Sequence, residues 1–296
     1  MSAVAILPPA ADVVAAPTLR HWLAGTLRRH PTAIAGGVVL LLMVAIAILA
    51  PWLGTTDPLA VIPTRRLKPM SGQFWFGTDM LGRDVYSRVI YGSRVSLTVG
   101  LAVAVIATTV GVAIGLVTGF LRGVDAIVMR VMDGLMSIPP VLLAIALIAL
   151  TKASLGNVVF AIAISEVPRV VRLVRSLVLT LREQPYVEAA IASGTRLPLI
   201  LIRHILPNTT APLLVQATYI CASAMITEAI LSFIGAGTPP NIPSWGNIMA
   251  ESRSLIQIAG QLLLFPGLFL SLTVLSVNLL GDGMRDALDP RLARRL

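Results

Sequence analysis

The chain has 296 residues, 56% of them hydrophobic and only 12% charged, with a mean hydropathy of +0.87, which excludes an ordinary soluble globular domain and points to an integral membrane protein. The formal charge of +9 raises nucleic acid as a partner, but the cations gather at the ends of apolar runs instead of forming a basic stripe interleaved with aromatics. The apolar runs are continuous, not alternating, so helices and not a barrel do the spanning.

In chain order, residues 1–31 hold an Ala- and Pro-rich stretch and read as a cytoplasmic N-terminal tail. Residues 32–53 form the first transmembrane helix. A signal peptide is the alternative, but the run is long for one and lacks a small-x-small cleavage site. The segment 54–94 is expected as an extracytoplasmic loop. Within it, "FGTDMLGRDVYSRVIYGSRVSL" sets Met80, Leu81, Val85, Val89 and Ile90 against Arg83, Asp84, Ser87 and Arg88, the pattern of an amphipathic helix lying along the membrane surface or else of a solvated basic loop.

Residues 95–281 form the core, with five further spans at about 95–119, 127–150, 157–177, 208–236 and 259–281. Residues 282–296 read as a cytoplasmic C-terminal tail. The expected fold is therefore all-α and integral to the membrane, with six transmembrane helices. Placing both termini in the cytoplasm puts most Lys and Arg residues on that side.

Several polar residues fall inside or beside these spans. Arg130 and Asp133 sit three apart and are expected to pair on one helix face. Pro139 and Pro140, in "SIPP", are expected to kink the same helix. Glu166 lies near the middle of the fourth span, where it either pairs with Arg169 or lines a pathway. Glu228 lies roughly 30 Å along the fifth span and is expected near the outer face. "GAGTPPNIPSWGNIMAESR" reads as a re-entrant or surface segment, with Trp245 as an interfacial anchor.

Enzyme chemistry is conspicuously missing. Lys68 and Lys152 are the only lysines and follow Leu67 and Thr151, so no nucleotide-binding P-loop exists. His21, His30 and His204 are too scattered for a zinc-protease motif, and no Gly-x-Ser-x-Gly elbow occurs. Cys221 is the lone cysteine, and no metal or cofactor site is expected in this chain.

One polar segment remains unexplained by spanning, "EAAIASGTRLPLILIRHILPN", within the loop 183–207. Glu188 suits a helix start, Ala189 and Ala190 propagate a helix, and Gly194 lets the chain turn. A short helix held at the cytoplasmic face is either a docking element or an interfacial helix anchored by Arg196 and Arg203. The stretch resembles the EAA loop of ABC-transporter permeases, whose pattern is met by Glu188, Ala189, Ala190, Gly194, His204, Leu206 and Pro207.

The resemblance extends over nearly the whole chain, through "FGTDMLGRDVYSRVIYGSRVSL", "MRVMDGLMSIPP", "LREQPYVEAA", "RHILPN", "LSFIGAG", "PSWGNIMAESR" and "NLLGDGMRDALDPRL" in order. It is most similar to the C-type permease of dipeptide, oligopeptide and nickel importers. The resemblance implies a type I ABC importer permease fold in the cell inner membrane, with a cytoplasmic coupling helix that enters a cleft of a separate ATPase. It implies a second, B-type permease, two ATP-binding subunits that hold the ATP and Mg, and an extracytoplasmic substrate-binding protein. Arg130, Asp133, Pro139, Pro140, Glu166, Arg169 and Glu228 become candidates for the pathway or gate. Peptide is the expected solute, with nickel or another small solute as the alternative; an ion-coupled secondary transporter is the alternative of another class.

Overall fold

The computed structural model describes residues 31–288; the tail expectations for 1–30 and 289–296 lie outside the described residues. Those described residues are mainly helical and contain no strand beyond one isolated bridge between Thr78 and Asp84. Helix α1 spans Pro31–Leu49 and ends in a 3-10 turn, Ala50–Trp52, where Arg94 caps the last carbonyls by donating from Nε to Ala47 O at 2.5 Å and from Nη2 to Ile48 O at 2.9 Å.

Helix α2 spans Val85–Phe120 and begins where Asp84 accepts from the Ser87 amide at 2.9 Å, an N-cap built from a short acidic side chain. Its 36 residues make a rod of about 54 Å, longer than a bilayer core. This corrects the expected loop 54–94 and the span start at 95. The block "DVYSRVIYGSRVSL" is no separate surface helix but the first turns of the span, because its apolar residues Val85, Val89 and Ile90 have a buried partner surface to meet.

Helix α3, Arg122–Met136, and helix α4, Pro140–Ala149, replace the single span expected at 127–150 and meet at 91°. Pro139 and Pro140 remove two backbone donors and disfavour helix in the residues before them, so the chain turns there by far more than a kink. Helix α5, Leu155–Leu181, is capped by Ser154 and contains Pro168. Helix α6 is the short Pro185–Ala192, and α7, Leu197–Ile200, runs through a π turn, Leu201–Ile205, into α8, Leu206–Phe233. The helix therefore starts eleven residues before the expected boundary at 208, and the second half of the 183–207 segment is its first turns. Helix α9 spans Trp245–Ser252, and α10 spans Gln261–Leu288, so the expected C-terminal tail from 282 begins inside a helix.

By length and composition four helices can cross a membrane, Pro31–Trp52, Val85–Phe120, Leu197–Phe233 and Gln261–Ala287, and the α3–α4 pair makes five if counted as one span. Helix α5 is long enough at 27 residues, but Glu166, Arg169, Arg172 and Arg175 keep it outside that count.

The tightest seam joins α2 to α5. Gly111, Gly115 and Gly119 recur every four residues and face Val170, Val174 and Val178, which recur at the same interval; a Cβ on any of the three glycines would lie 2.5–2.6 Å from the facing valine Cβ. Close approach through small residues is what packs helices where water supplies no driving force. Around this seam a core of Val99, Val103, Ile162, Val171, Ile220 and Leu231 joins α2, α5 and α8.

At the other end of α2, α9 folds back onto the bundle. Trp245 is wholly buried, donates from Nε1 to Val89 O at 3.0 Å and packs near Phe269, so it is a core residue and not the interfacial anchor expected from sequence. The reason is tertiary: Gly92 clears the room, since a Cβ there would meet the indole at 3.0 Å. Trp245→Phe is expected to leave the fold assembled but lower its thermal midpoint, by losing one buried hydrogen bond worth about 1 kcal/mol, as read by the temperature at which the detergent-solubilised chain aggregates.

Candidate functional site

The segment between α5 and α8 is built to present a short helix. Val187 and Ile200 are buried and anchor α6 and α7, while Glu188, Ala189, Tyr186, Ile191, Leu199 and Ile202 stay exposed. Pro185 stands at the N-terminal turn and Glu188 in the first turn, where its charge meets the positive end of the helix dipole. The C-terminus closes on two crossed bonds: Gly194 N donates to Ile191 O at 2.9 Å and Thr195 N to Ala190 O at 3.1 Å. Gly194 sits at φ +75°, the left-handed conformation that this kind of cap requires and that glycine adopts without strain.

Across the turn, Pro207 cannot continue the helical ladder, and the chain answers with the π turn, in which Leu206 N reaches back to Leu201 O. Asn208 ties the two limbs, donating to His204 O at 2.7 Å and to Tyr186 Oη at 3.4 Å. The seven residues singled out by the EAA pattern thus fall into two adjoining groups: Glu188, Ala189, Ala190 and Gly194 on α6 and its cap, and His204, Leu206 and Pro207 where the π turn becomes α8.

The candidate pathway residues do not converge on one site. Asp133 pairs with Arg172 of α5 at 2.7 Å and not, as expected, with Arg130, because the neighbouring helix places a guanidinium opposite it. One turn on, Arg175 grips Asp125 of α3 through Nε at 2.5 Å and Nη2 at 2.7 Å, a two-pronged bond. Glu166 and Arg169 do come together, with Nη1 donating to Oε2 at 3.0 Å, and Ser223 of α8 donates to Glu166 Oε1 at 3.4 Å. Glu228 lies apart near the α9 end. It is wholly buried and accepts from Ser232 Oγ at 2.8 Å and Thr238 Oγ1 at 3.3 Å, which fastens the loop after α8. Pro139 and Pro140 form the α3–α4 corner and contribute no polar side-chain group.

Residues 89–294 match the profile of the binding-protein-dependent transport system inner membrane component, and residues 22–69 match the N-terminal TM domain of oligopeptide transport permease C. The chain belongs to the binding-protein-dependent transport system inner membrane component family. It is 55% identical to a probable peptide ABC transporter permease of Sinorhizobium fredii, over 93% of this chain and 94% of that one. It is also 42% identical to a dipeptide transport system permease of Alkalihalophilus pseudofirmus (90% and 88% covered) and to a probable D,D-dipeptide transport system permease of Escherichia coli (90% and 89% covered). This is a multi-pass inner-membrane permease of an ABC importer, and its family is one of transport components and not of catalytic subunits.

The permease carries one charged constellation that sequence reading did not find. At the end of the bundle remote from α6, Asp79, Arg83 and Arg88 are buried and join Glu251 of α9. Arg88 Nη1 lies 2.7 Å from Asp79 Oδ2 and 2.5 Å from Glu251 Oε2, its Nη2 donates to Glu251 Oε1 at 3.2 Å, Arg83 Nε donates to Asp79 Oδ2 at 2.6 Å, and Arg83 Nη2 also reaches Glu251. Asp79 Oδ1 accepts from the Leu81 and Arg83 amides at 2.8 and 2.9 Å. The only sequence signal was an excess of unpaired-looking charges in "TDMLGRDVYSR"; their partner Glu251 is 163 residues from Arg88 and gave no local sign. A cavity of about 450 Å³ opens beside it, lined by Asp79, Arg83, Glu251, Met80, Leu81 and Leu255.

Proposed function

We propose that this permease forms half of the translocation pathway of an ATP-driven importer of di- or oligopeptides and is coupled to a separate ATPase through α6. The observation that carries this reading is the rigidly capped, outward-facing α6: a helix of eight residues held by buried Val187 on one side and by a left-handed glycine at its end, with Glu188 and Ala189 free on the surface. A helix that short is not stable alone, and one so closely capped and so little buried is suited to insertion into another protein. The EAA pattern on these residues supports the same reading, as do relatives named for peptide and dipeptide transport.

On this reading α5 is a sixth span whose charges are paired within the protein, since Arg172 and Arg175 find their acids on α3 and Arg169 finds Glu166. Both termini and α6 lie in the cytoplasm, and the Trp245 end lies outside. A B-type permease completes the pathway, two ATP-binding subunits hold ATP and Mg, and an extracytoplasmic protein delivers the solute. Nucleotide-driven closure of the ATPases draws the coupling helices together and rocks the spans between inward- and outward-open states. Of the pathway candidates, Glu166 and Arg169 stand at mid-depth, Arg130, Asp133, Pro139 and Pro140 on the α3–α4 limb act on gating, and Glu228 fixes the outer loop.

The test is an affinity pull-down from native membranes in mild detergent. The wild-type permease is expected to bring down a second permease and P-loop ATPases, and Gly194→Asp to lose the ATPases while keeping the permease partner, because a side chain at φ +75° strains the cap by about 1 kcal/mol and adds bulk at the docking surface. Recovery of the ATPases unchanged with Gly194→Asp would overturn the assignment of α6.

A further inference from the structure

Arg169 is anomalous for its depth. It lies 14 residues from the start of α5 and 12 from its end, so it sits near the middle of a helix about 40 Å long, yet its side chain is 38% exposed. Its partner Glu166 is only 3% exposed, reached by Arg169 Nη1 and Ser223 and sealed from the surface. On α8, Tyr219 faces Arg169 with its ring centroid 5.4 Å from the guanidinium carbon, and Tyr219 is itself at the middle of Leu206–Phe233.

The same stripe of α8 carries Ser223, four residues after Tyr219, which donates to Glu166. Further along it, Ile226 and Ile230 are exposed and apolar. A few polar groups convergent on one spot within an apolar wall is the ordinary composition of a small-molecule site. A guanidinium at mid-depth is costly against lipid, so this face borders water or solute.

We propose that Arg169 and Tyr219 form a solute station at mid-depth on the α5–α8 face, and that it takes a carboxylate group of the travelling solute. The chemistry selects that group. Glu166 occupies one edge of the guanidinium and holds it in place, but being buried it cannot greet a solute ammonium; the rest of the guanidinium and the exposed phenol of Tyr219 both donate. Arg169 thus offers a fixed, half-neutralised cation that binds a carboxylate and still releases it, as a pathway site must. The inference rests on the importer reading above and gives it a recognition group within the membrane.

The test uses the transporter assembled with its partner subunits, with Cys221→Ser removing the native thiol and Tyr219→Cys or, separately, Ser223→Cys placing a probe at the station. Small anionic and cationic thiosulfonate reagents are compared, each rate normalised to its rate with a free thiol. The anionic reagent is expected to react about fivefold faster than the cationic one, the effect of a two-unit difference in reagent charge beside a half-neutralised cation at about 4 Å in water. The preference is expected to survive Arg169→Lys and to be lost in Arg169→Gln, where the buried Glu166 no longer has a cation beside it. With Ser223→Cys, which keeps Tyr219, N-acetyl-alanyl-alanine is expected to slow labelling and its C-terminal amide is not.

Failure of both cysteines to react, while cysteines in the 54–84 loop do, would overturn the proposal by showing that lipid or a neighbouring subunit's carboxylate covers the face. Labelling indifferent to reagent charge or to Arg169, or equal protection by the two peptides, would overturn the carboxylate assignment. Co-purification of the ATPases is scored on the same samples, so loss of the importer reading is seen separately from loss of the station.

Discussion

Replacing Arg88 with methionine is expected to cost about 3–5 kcal/mol of stability, the largest effect of any single polar substitution in this permease. The residue is 1% exposed and bridges Asp79, at the end of the irregular 53–84 segment, to Glu251 on α9. Methionine fills much of the same volume, so packing is nearly kept, but Asp79 and Glu251 are then left facing each other with Arg83 alone to neutralise both. The measurement is thermal aggregation of the detergent-solubilised chain, with a fall on the order of 10 °C expected. Arg88→Lys is expected to fall between, because an ammonium cannot reproduce the two-pronged contact with Glu251. A midpoint within a degree or two of wild type for Arg88→Met would show that the network contributes nothing net to the fold.

The second large effect belongs to the α2–α5 seam. Gly115→Leu places a branched side chain where a Cβ alone would already lie 2.6 Å from Val174 Cβ and 3.0 Å from Val171 O. No rotamer of leucine relieves a clash that begins at its Cβ, so the helices must separate along the seam, and the van der Waals contacts that hold them in lipid are lost together. Overpacking of this kind costs about 1–3 kcal/mol in ordinary cores, and the backbone contact puts this site at the upper end. The expected readout is loss of the folded peak in size-exclusion chromatography of the membrane extract. Val174→Gly in the same chain is expected to restore part of it, by removing the Cβ that the new side chain meets first. No rescue would mean that the strain is borne by the carbonyl of Val171 and not by the valine.

Both predictions concern features whose partners are distant in sequence, and that is the general division in this protein. The first span was legible because twenty apolar residues in a row have one physical meaning, and the structure places α1 and its 3-10 turn over Pro31–Trp52 against an expectation of 32–53. The short helix at Pro185–Ala192 was legible for a local reason too: a dipole-matched Glu188, alanines and a glycine positioned for a left-handed cap lie within ten residues of one another. Proline at 139 and 140 announced a bend, since its effect on the backbone needs no partner.

What the sequence by itself determined, then, is everything set by covalent geometry and by the solvent a segment prefers: a helical membrane chain, no nucleotide-binding loop, and a glycine-stopped surface helix between two long helices. Only the tertiary structure decided whether "DVYSRVIYGSRVSL" lay on the membrane or began a span, whether Asp133 paired along its own helix or across to Arg172, and whether Trp245 met the interface or the core. Each of those outcomes turns on what stands opposite the residue. A charge or an aromatic ring takes its lowest free energy from its partner, and in this chain Arg88 meets Glu251, Asp133 meets Arg172 and Trp245 meets Val89 across 163, 39 and 156 residues.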